Sequence, residues 1–297
     1  MAGLGRRAPH HAEAVETRSM TDTATPQQHT DTQAPEVLYD VADHVATLTL
    51  NRPHRRNAIS VQMLMELTAC LQRAERDRDV RVIVLTGAGK GFCAGLDIKD
   101  ALAGTGIGGG GKVGQGAGAV NANIRDLPTV VLHEIDTPVI AAINGGVAGY
   151  GLDLALGCDL RIAQSDARIV PGFAKRGIVP ESGGTWYLPR LVGWARAAEI
   201  SFLGRDLSPE RAEQVGIINA VAPDALALAR EWALEIAANA PLAIAAMKRL
   251  FRHGLDETFQ AHSDHVLLQL APLMASRDFQ EGMAAFMEQR EPRFSGR

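Results

Sequence analysis

The stretch Pro138-Val-Ile-Ala-Ala-Ile-Asn-Gly-Gly-Val-Ala-Gly-Tyr-Gly-Leu-Asp-Leu-Ala-Leu-Gly-Cys-Asp-Leu-Arg-Ile-Ala163 decides the fold class. Pro138 to Ile143 is an apolar run of strand length, the glycines that follow make a turn, Gly149 to Leu156 reads as a helix, and Leu160 to Ala163 is a second strand. The same order occurs upstream. Val45 to Leu50 alternates as a strand, Val61 to Asp77 is an amphipathic helix, and Val80 to Leu85 is a β-branched run stopped by Gly87 and Gly89. Alternation of this kind predicts an α/β fold.

Beyond residue 190 helices dominate. Ser208-Pro-Glu-Arg211 is an N-cap followed by proline at the first helical position, Pro241 opens another helix, and Leu255 to Met274 and Phe279 to Arg290 continue the pattern. The chain therefore divides into a βα core over 37–200 and a helical region over 201–297, without an evident linker. Residues 1–36, rich in Thr, Gln, His, Asp and Pro, have no apolar stretch of the kind a signal peptide or membrane anchor needs, and are expected to be a disordered tail. Gly104 to Gly118 holds nine glycines in fifteen residues, which suits either a tolerated surface insertion or a lid beside a ligand site.

Composition narrows the function. Thirty basic against 34 acidic side chains leave a formal net charge of −4, so no global field draws the protein to nucleic acid or an anionic membrane, and no segment is apolar over a membrane's width. Three cysteines, Cys70, Cys93 and Cys158, form no CxxC pair, so neither a disulfide framework nor a metal site is expected, and a reducing cytoplasm fits best. Two glycine clusters invite a nucleotide reading and fail it. In Gly87-Ala-Gly-Lys-Gly-Phe92 the lysine is followed by glycine instead of Ser or Thr, and after Gly149-Tyr-Gly151 the third fingerprint glycine is replaced by Leu154. What both clusters offer is a tight turn whose backbone N–H groups can donate to an oxygen carrying negative charge.

The residues also carry a resemblance. Leu50-Asn-Arg-Pro-His-Arg-Arg-Asn-Ala58, Gly87-Ala-Gly-Lys-Gly-Phe-Cys-Ala-Gly-Leu-Asp97, Ala141-Ala-Ile-Asn-Gly145 and Leu154-Ala-Leu-Gly-Cys-Asp159 resemble, in order and spacing, the crotonase (enoyl-CoA hydratase/isomerase) superfamily. Within it, Phe173-Ala-Lys-Arg-Gly-Ile-Val-Pro-Glu-Ser-Gly-Gly-Thr-Trp186 and the ending from Glu281-Gly-Met-Ala-Ala-Phe286 onward are similar to the phenylacetate-pathway enoyl-CoA isomerases. The resemblance implies a crotonase-like spiral of ββα units with a C-terminal helical trimerisation region, assembled as a homotrimer or a dimer of trimers. It implies an acyl-CoA thioester substrate, with coenzyme A as part of that substrate and no separate cofactor.

Residue by residue, the resemblance assigns an oxyanion hole to the N–H groups of Leu96 and Tyr150, the latter where a small residue is commoner. Family hydratases hold water between two glutamates; the matching positions here are Asp153 and Phe173, and a phenyl ring neither takes nor gives a proton. Glu181, eight residues after Phe173, occupies the position where the similar isomerases carry an aspartate base and a related dehalogenase its nucleophile. Glu181 and Asp153 also begin or precede probable helices, where an acid is locally favoured for the helix dipole alone. Arg56 and Ala58 are placed along the CoA chain, Ala94 and Leu96 with Asp97, Ile98 and Lys99 along the thioester and adenine side, and Phe173 and Phe286 against the substrate. Arg55, Arg56 and Lys99 are the cations available for phosphate, and Arg290 stands next to Gln289, where the hydratases place a phosphate-binding lysine. Cys93 reads as core packing and His133 as a surface or capped residue. The expected activity is enoyl-CoA double-bond isomerisation. The alternatives are an enoyl-CoA hydratase using Asp153 and Glu181 as a rearranged pair, and a CoA-thioester-binding protein without catalysis.

Overall fold

A six-stranded sheet in the order β1-β2-β3-β5-β7-β9 and a three-stranded sheet β4-β6-β8 organise the chain. The computed structural model describes residues 34–97, 99 and 127–297; the expected tail up to residue 33, Ile98 and the glycine-rich stretch Gly104 to Gly118 lie outside the described residues. The strands are β1 Val37–Ala42, β2 Val45–Leu50, β3 Val82–Gly87, β4 Gly91–Cys93, β5 Val139–Ile143, β6 Gly146–Ala148, β7 Leu160–Gln164, β8 Ile169–Val170 and β9 Ala220–Ala222. Among the strands described, β1 and β2 pair antiparallel and the other strand pairs are parallel. Successive turns of the chain give one strand to each sheet: β3 then β4, β5 then β6, β7 then β8. This is the ββα spiral that the sequence implied.

The helices among the described residues are α1 Val61–Arg76, α2 Pro128–Glu134, α3 Tyr150–Gly157, α4 Gly184–Val192, α5 Trp194–Leu203, α6 Pro209–Gln214, α7 Ala225–Ala237, α8 Pro241–Gly254, α9 Phe259–Met274 and α10 Arg277–Glu288. Their starts follow from caps: Ser60, Ser208, Thr258 and Ser276 each accept a backbone N–H three residues on. The period-two alternation of β3 and β5 decides the core. Ile83, Leu85, Val139, Ala141 and Ile143 face α1 and the site, while Val82, Val84, Ile140 and Ala142 face the alanine stripe Ala225, Ala229, Ala233 and Ala237 of α7. From Pro35 to Arg297 the chain gathers into one compact unit. Glu36, which the sequence reading placed in the tail, is buried; its carboxylate meets the Arg52 guanidinium at 3.0 Å and the Ser60 hydroxyl.

The sequence reading differs from the structure at the second sheet. Residues 146–148, read as part of a glycine turn, are strand β6, and β8 is a two-residue pairing that no periodicity announces. No helix among the described residues is long and apolar enough to cross a membrane.

Candidate active site

The small sheet brings two turns together. Gly95, at φ 95°, follows β4, and Gly149, at φ 52°, follows β6; a Cβ on Gly149 would lie 3.7 Å from the Gly95 Cα, and one on Gly95 would lie 3.0 Å from the Ala148 carbonyl. Glycine tolerates both the positive φ and the approach. Behind them Gly151 rests on Cys93, where an added Cβ would meet the Cys93 Cβ at 2.6 Å. Burial pushes the Cys93 thiol up to about 12, so it fills core space as the sequence indicated.

Backbone pairing aims one N–H of the turn. Ile59 N–H donates to the Gly95 carbonyl at 2.8 Å and Asp97 N–H donates to the Ile59 carbonyl at 3.1 Å, so the intervening Leu96 N–H faces away from Ile59. The Tyr150 N–H opens α3 and, like every first-turn amide, has no acceptor within its helix. Neither amide has a hydrogen-bond partner among the described residues. Both residues border a cavity of about 80 Å³ together with Ala94, Phe173, Arg176 and Glu181. The fold thus joins Leu96, Tyr150, Ala94, Phe173 and Glu181 from the sequence-derived set.

Glu181 is exposed and also borders a neighbouring cavity of about 290 Å³ walled by Leu127, His133, Trp186 and Tyr187. His133 Nδ1 shares a hydrogen bond with the Tyr187 hydroxyl at 3.1 Å and meets the Trp186 ring edge-on at 5.1 Å. Burial, then the Arg252 charge, holds its imidazole below the ordinary value, which favours the neutral ring.

Asp153 is elsewhere. It is fully buried and absent from the walls of both cavities; its Oδ2 accepts the Ser182 N–H at 3.0 Å, and Oδ1 has no partner among the described residues. Burial, helped by the nearby Glu181 charge, pushes its carboxyl up to about 7, and the Ser182 hydrogen bond offsets only part of that. Asp153 therefore touches the loop that carries Glu181 and not the cavity.

The expected CoA-side residues divide. Arg56 is exposed, in left-handed conformation at φ 53°, and its carbonyl accepts the Ala94 N–H at 3.0 Å. Ala58 is buried, its carbonyl accepting from Arg52 at 2.7 Å. The Asp97 carboxylate is turned inward, paired with Arg52 at 3.2 Å and Arg55 at 3.3 Å, and it also accepts the Lys99 N–H at 3.1 Å. That pairing holds the Leu96 turn and engages Arg55. Lys99 is exposed. Phe286, 78% exposed on α10, is not brought to the cavity, and the Arg290 guanidinium is clasped by Glu281 at 2.6 Å and by Glu288 at 2.6 Å.

Sequence reasoning overlooked the residues that support the turns. Asn57 Nδ2 donates to the Ala88 and Gly91 carbonyls at 3.0 and 2.8 Å, and Asn144 Nδ2 donates to Gly87 and Gly89 at 2.7 and 3.0 Å. Both lie inside quoted motifs, yet an asparagine beside glycines reads locally as a turn former.

Comparison with known proteins gives the family. Residues 40–297 match the model of the enoyl-CoA hydratase/isomerase family. The 1,2-epoxyphenylacetyl-CoA isomerase of Escherichia coli is 38% identical over 268 residues, covering 88% of this chain and 98% of that protein. A probable enoyl-CoA hydratase of Rhodobacter capsulatus is 35% identical over 264 residues, with the same coverage of 88% and 98%. The crystal structure of an enoyl-CoA hydratase from Bacillus anthracis superposes with a TM-score of 0.80 at 32% identity, covering 88% of this chain and all of that one. Relatives named as hydratase and as isomerase both match over nearly their whole length, and this chain is an enzyme of the enoyl-CoA hydratase/isomerase (crotonase) family.

Proposed function

We propose that the protein shifts the carbon–carbon double bond of an enoyl-CoA thioester through an enolate. The observation that carries the reading is that, among the described residues, Glu181 is the only carboxylate bordering the cavity next to the Leu96 and Tyr150 amides, with Phe173 in the wall and Asp153 buried away from it. The two N–H groups hold the thioester oxygen. Glu181 removes a proton from the carbon next to the double bond, the electron pair moves onto that oxygen, and the proton returns from Glu181 to a different carbon as the carbonyl re-forms. One base suffices when both carbons face it. Hydration needs a second group to handle water, and Asp153 is buried and does not line the cavity. The chemistry calls on no metal or redox cofactor, and coenzyme A enters only as part of the substrate.

Turnover of a 3-enoyl-CoA in heavy-oxygen water tests this by mass spectrometry. Isomerisation leaves product mass unchanged; uptake of solvent oxygen as the main outcome overturns it in favour of hydration. Free Cys70, Cys93 and Cys158 support a reducing, cytoplasmic location. We further propose a homotrimer or a dimer of trimers, because α9 buries none of its residues and exposes Phe259, Leu267 and Leu268. Light scattering on the full chain and on Leu268→Glu checks it, a monomeric wild type being the contrary result.

A further inference from the structure

Arg176 borders the same cavity as Glu181, Leu96 and Tyr150. It ends the short turn Ala174–Arg176, where Gly177 reverses the chain at φ 70°. Its guanidinium is held at one nitrogen: Nη1 donates to the Gly172 carbonyl at 2.8 Å. Gly172 makes room for it, since a Cβ at that position would lie 2.2 Å from Nη1 and 3.3 Å from Cζ. The other donors of the fork have no acceptor, and Arg176 makes no ion pair, among the described residues. Arg52 and Arg55 are paired with Asp97, and Arg168 with Asp206. Arg176 is thus an exposed guanidinium, held at one nitrogen and with donors free among the described residues, at the rim of the cavity that Glu181 also borders.

A wholly apolar acyl chain gains nothing from such a neighbour and has to displace its water. An acyl chain ending in a carboxylate gains charge-assisted hydrogen bonds, which a planar guanidinium makes two at a time. The charge of Glu181 by itself repels an anionic acyl group; Arg176 offsets that charge within the one cavity.

We propose that Arg176 selects acyl groups carrying a free carboxylate, so that the enzyme acts on CoA thioesters of unsaturated dicarboxylic acids. The proposal rests on the reading that Leu96, Tyr150 and Glu181 hold and convert the thioester. It predicts that wild type prefers, by about 10- to 100-fold in kcat/KM, a 3-enoyl-CoA ending in carboxylate over one of equal length ending in methyl, the range expected for hydrogen bonds to a charged group. Arg176→Met collapses that ratio by lowering the carboxylate-ended substrate, and Arg176→Lys, which keeps the charge without the fork, retains part of it. Equal kcat/KM for the two substrates in wild type overturns the proposal, as does an equal loss on both in Arg176→Met, which would assign the arginine to the CoA part they share. Calorimetric binding of the two saturated analogues separates this from the catalytic reading. A carboxylate preference in Kd that Arg176→Met abolishes upholds the role of Arg176 even if neither enoyl-CoA is turned over, and equal Kd values overturn it.

Discussion

The Asp153 carboxylate accepts the backbone N–H of Ser182 at 3.0 Å, one residue beyond Glu181. A fully buried acid thereby fixes the loop that carries the proposed base, without a surface on the cavity. An added Cβ on Gly184 would lie 2.1 Å from Asp153 Oδ1, so the glycine pair of Ser182-Gly-Gly184 allows the loop to close onto this carboxyl.

Asp153 makes stability depend on pH. Its folded value, about 7, lies above the ordinary aspartate value of 3.8, so the stability it contributes is fully present below pH 4 and is lost as pH rises through 7. Asp153→Asn keeps the acceptor for Ser182 and removes that loss. The urea midpoint of the variant relative to wild type should rise between pH 5 and pH 8, and a difference that stays flat over this range would show that Asp153 is not the titrating group.

Glu181→Gln should lower double-bond isomerisation by at least about 100-fold, the low end for losing a general base. Because Glu181 is exposed, the melting temperature should not change. Asp153→Asn should cost less than Glu181→Gln. If wild type readily hydrates a 2-enoyl-CoA, and Asp153→Asn abolishes this while Glu181→Gln retains it, the two residues exchange roles.

Gly151→Ala should strain the oxyanion turn. The new methyl meets the Cys93 Cβ and carbonyl at 2.6 Å and the sulfur at 2.8 Å, so α3 has to move away from β4. Overpacking of this kind costs about 1–3 kcal/mol. Thermal unfolding should register that cost, and kcat should fall with it because Tyr150 is the adjacent residue; an unchanged kcat would detach the Tyr150 amide from the chemistry.

Arg52→Met should be more damaging than its distance from the cavity suggests. It leaves Glu36 buried without the guanidinium and removes a cation paired with Asp97. Breaking a buried pair costs about 3–5 kcal/mol. The expected result is a large loss of melting temperature, and Arg52→Lys should restore only part of it, since lysine is a single point charge.

Local pattern determined much of this protein. The α1 boundary, the β2, β3, β5 and β7 strands and the capped helices after residue 190 are legible because alternation, helical period and a serine or threonine cap act over a few neighbouring residues. The glycines announce two tight turns, and the family resemblance carried by the motifs points to Leu96, Tyr150 and Glu181 within and beside them. Strands β4, β6 and β8 are not legible, since two or three residues carry no period, and they form a sheet only by pairing with each other across the spiral. Tertiary structure alone decided which charges are available. Asp153, Asp97, Arg55 and Arg290 look equivalent to free surface groups in the sequence, yet each is consumed by a partner brought to it by folding, while Arg176 is left with donors to spare. The reason is physical: a side chain's chemistry belongs to its residue type, but whether that chemistry reaches a cavity depends on burial and on the partners that distant segments supply.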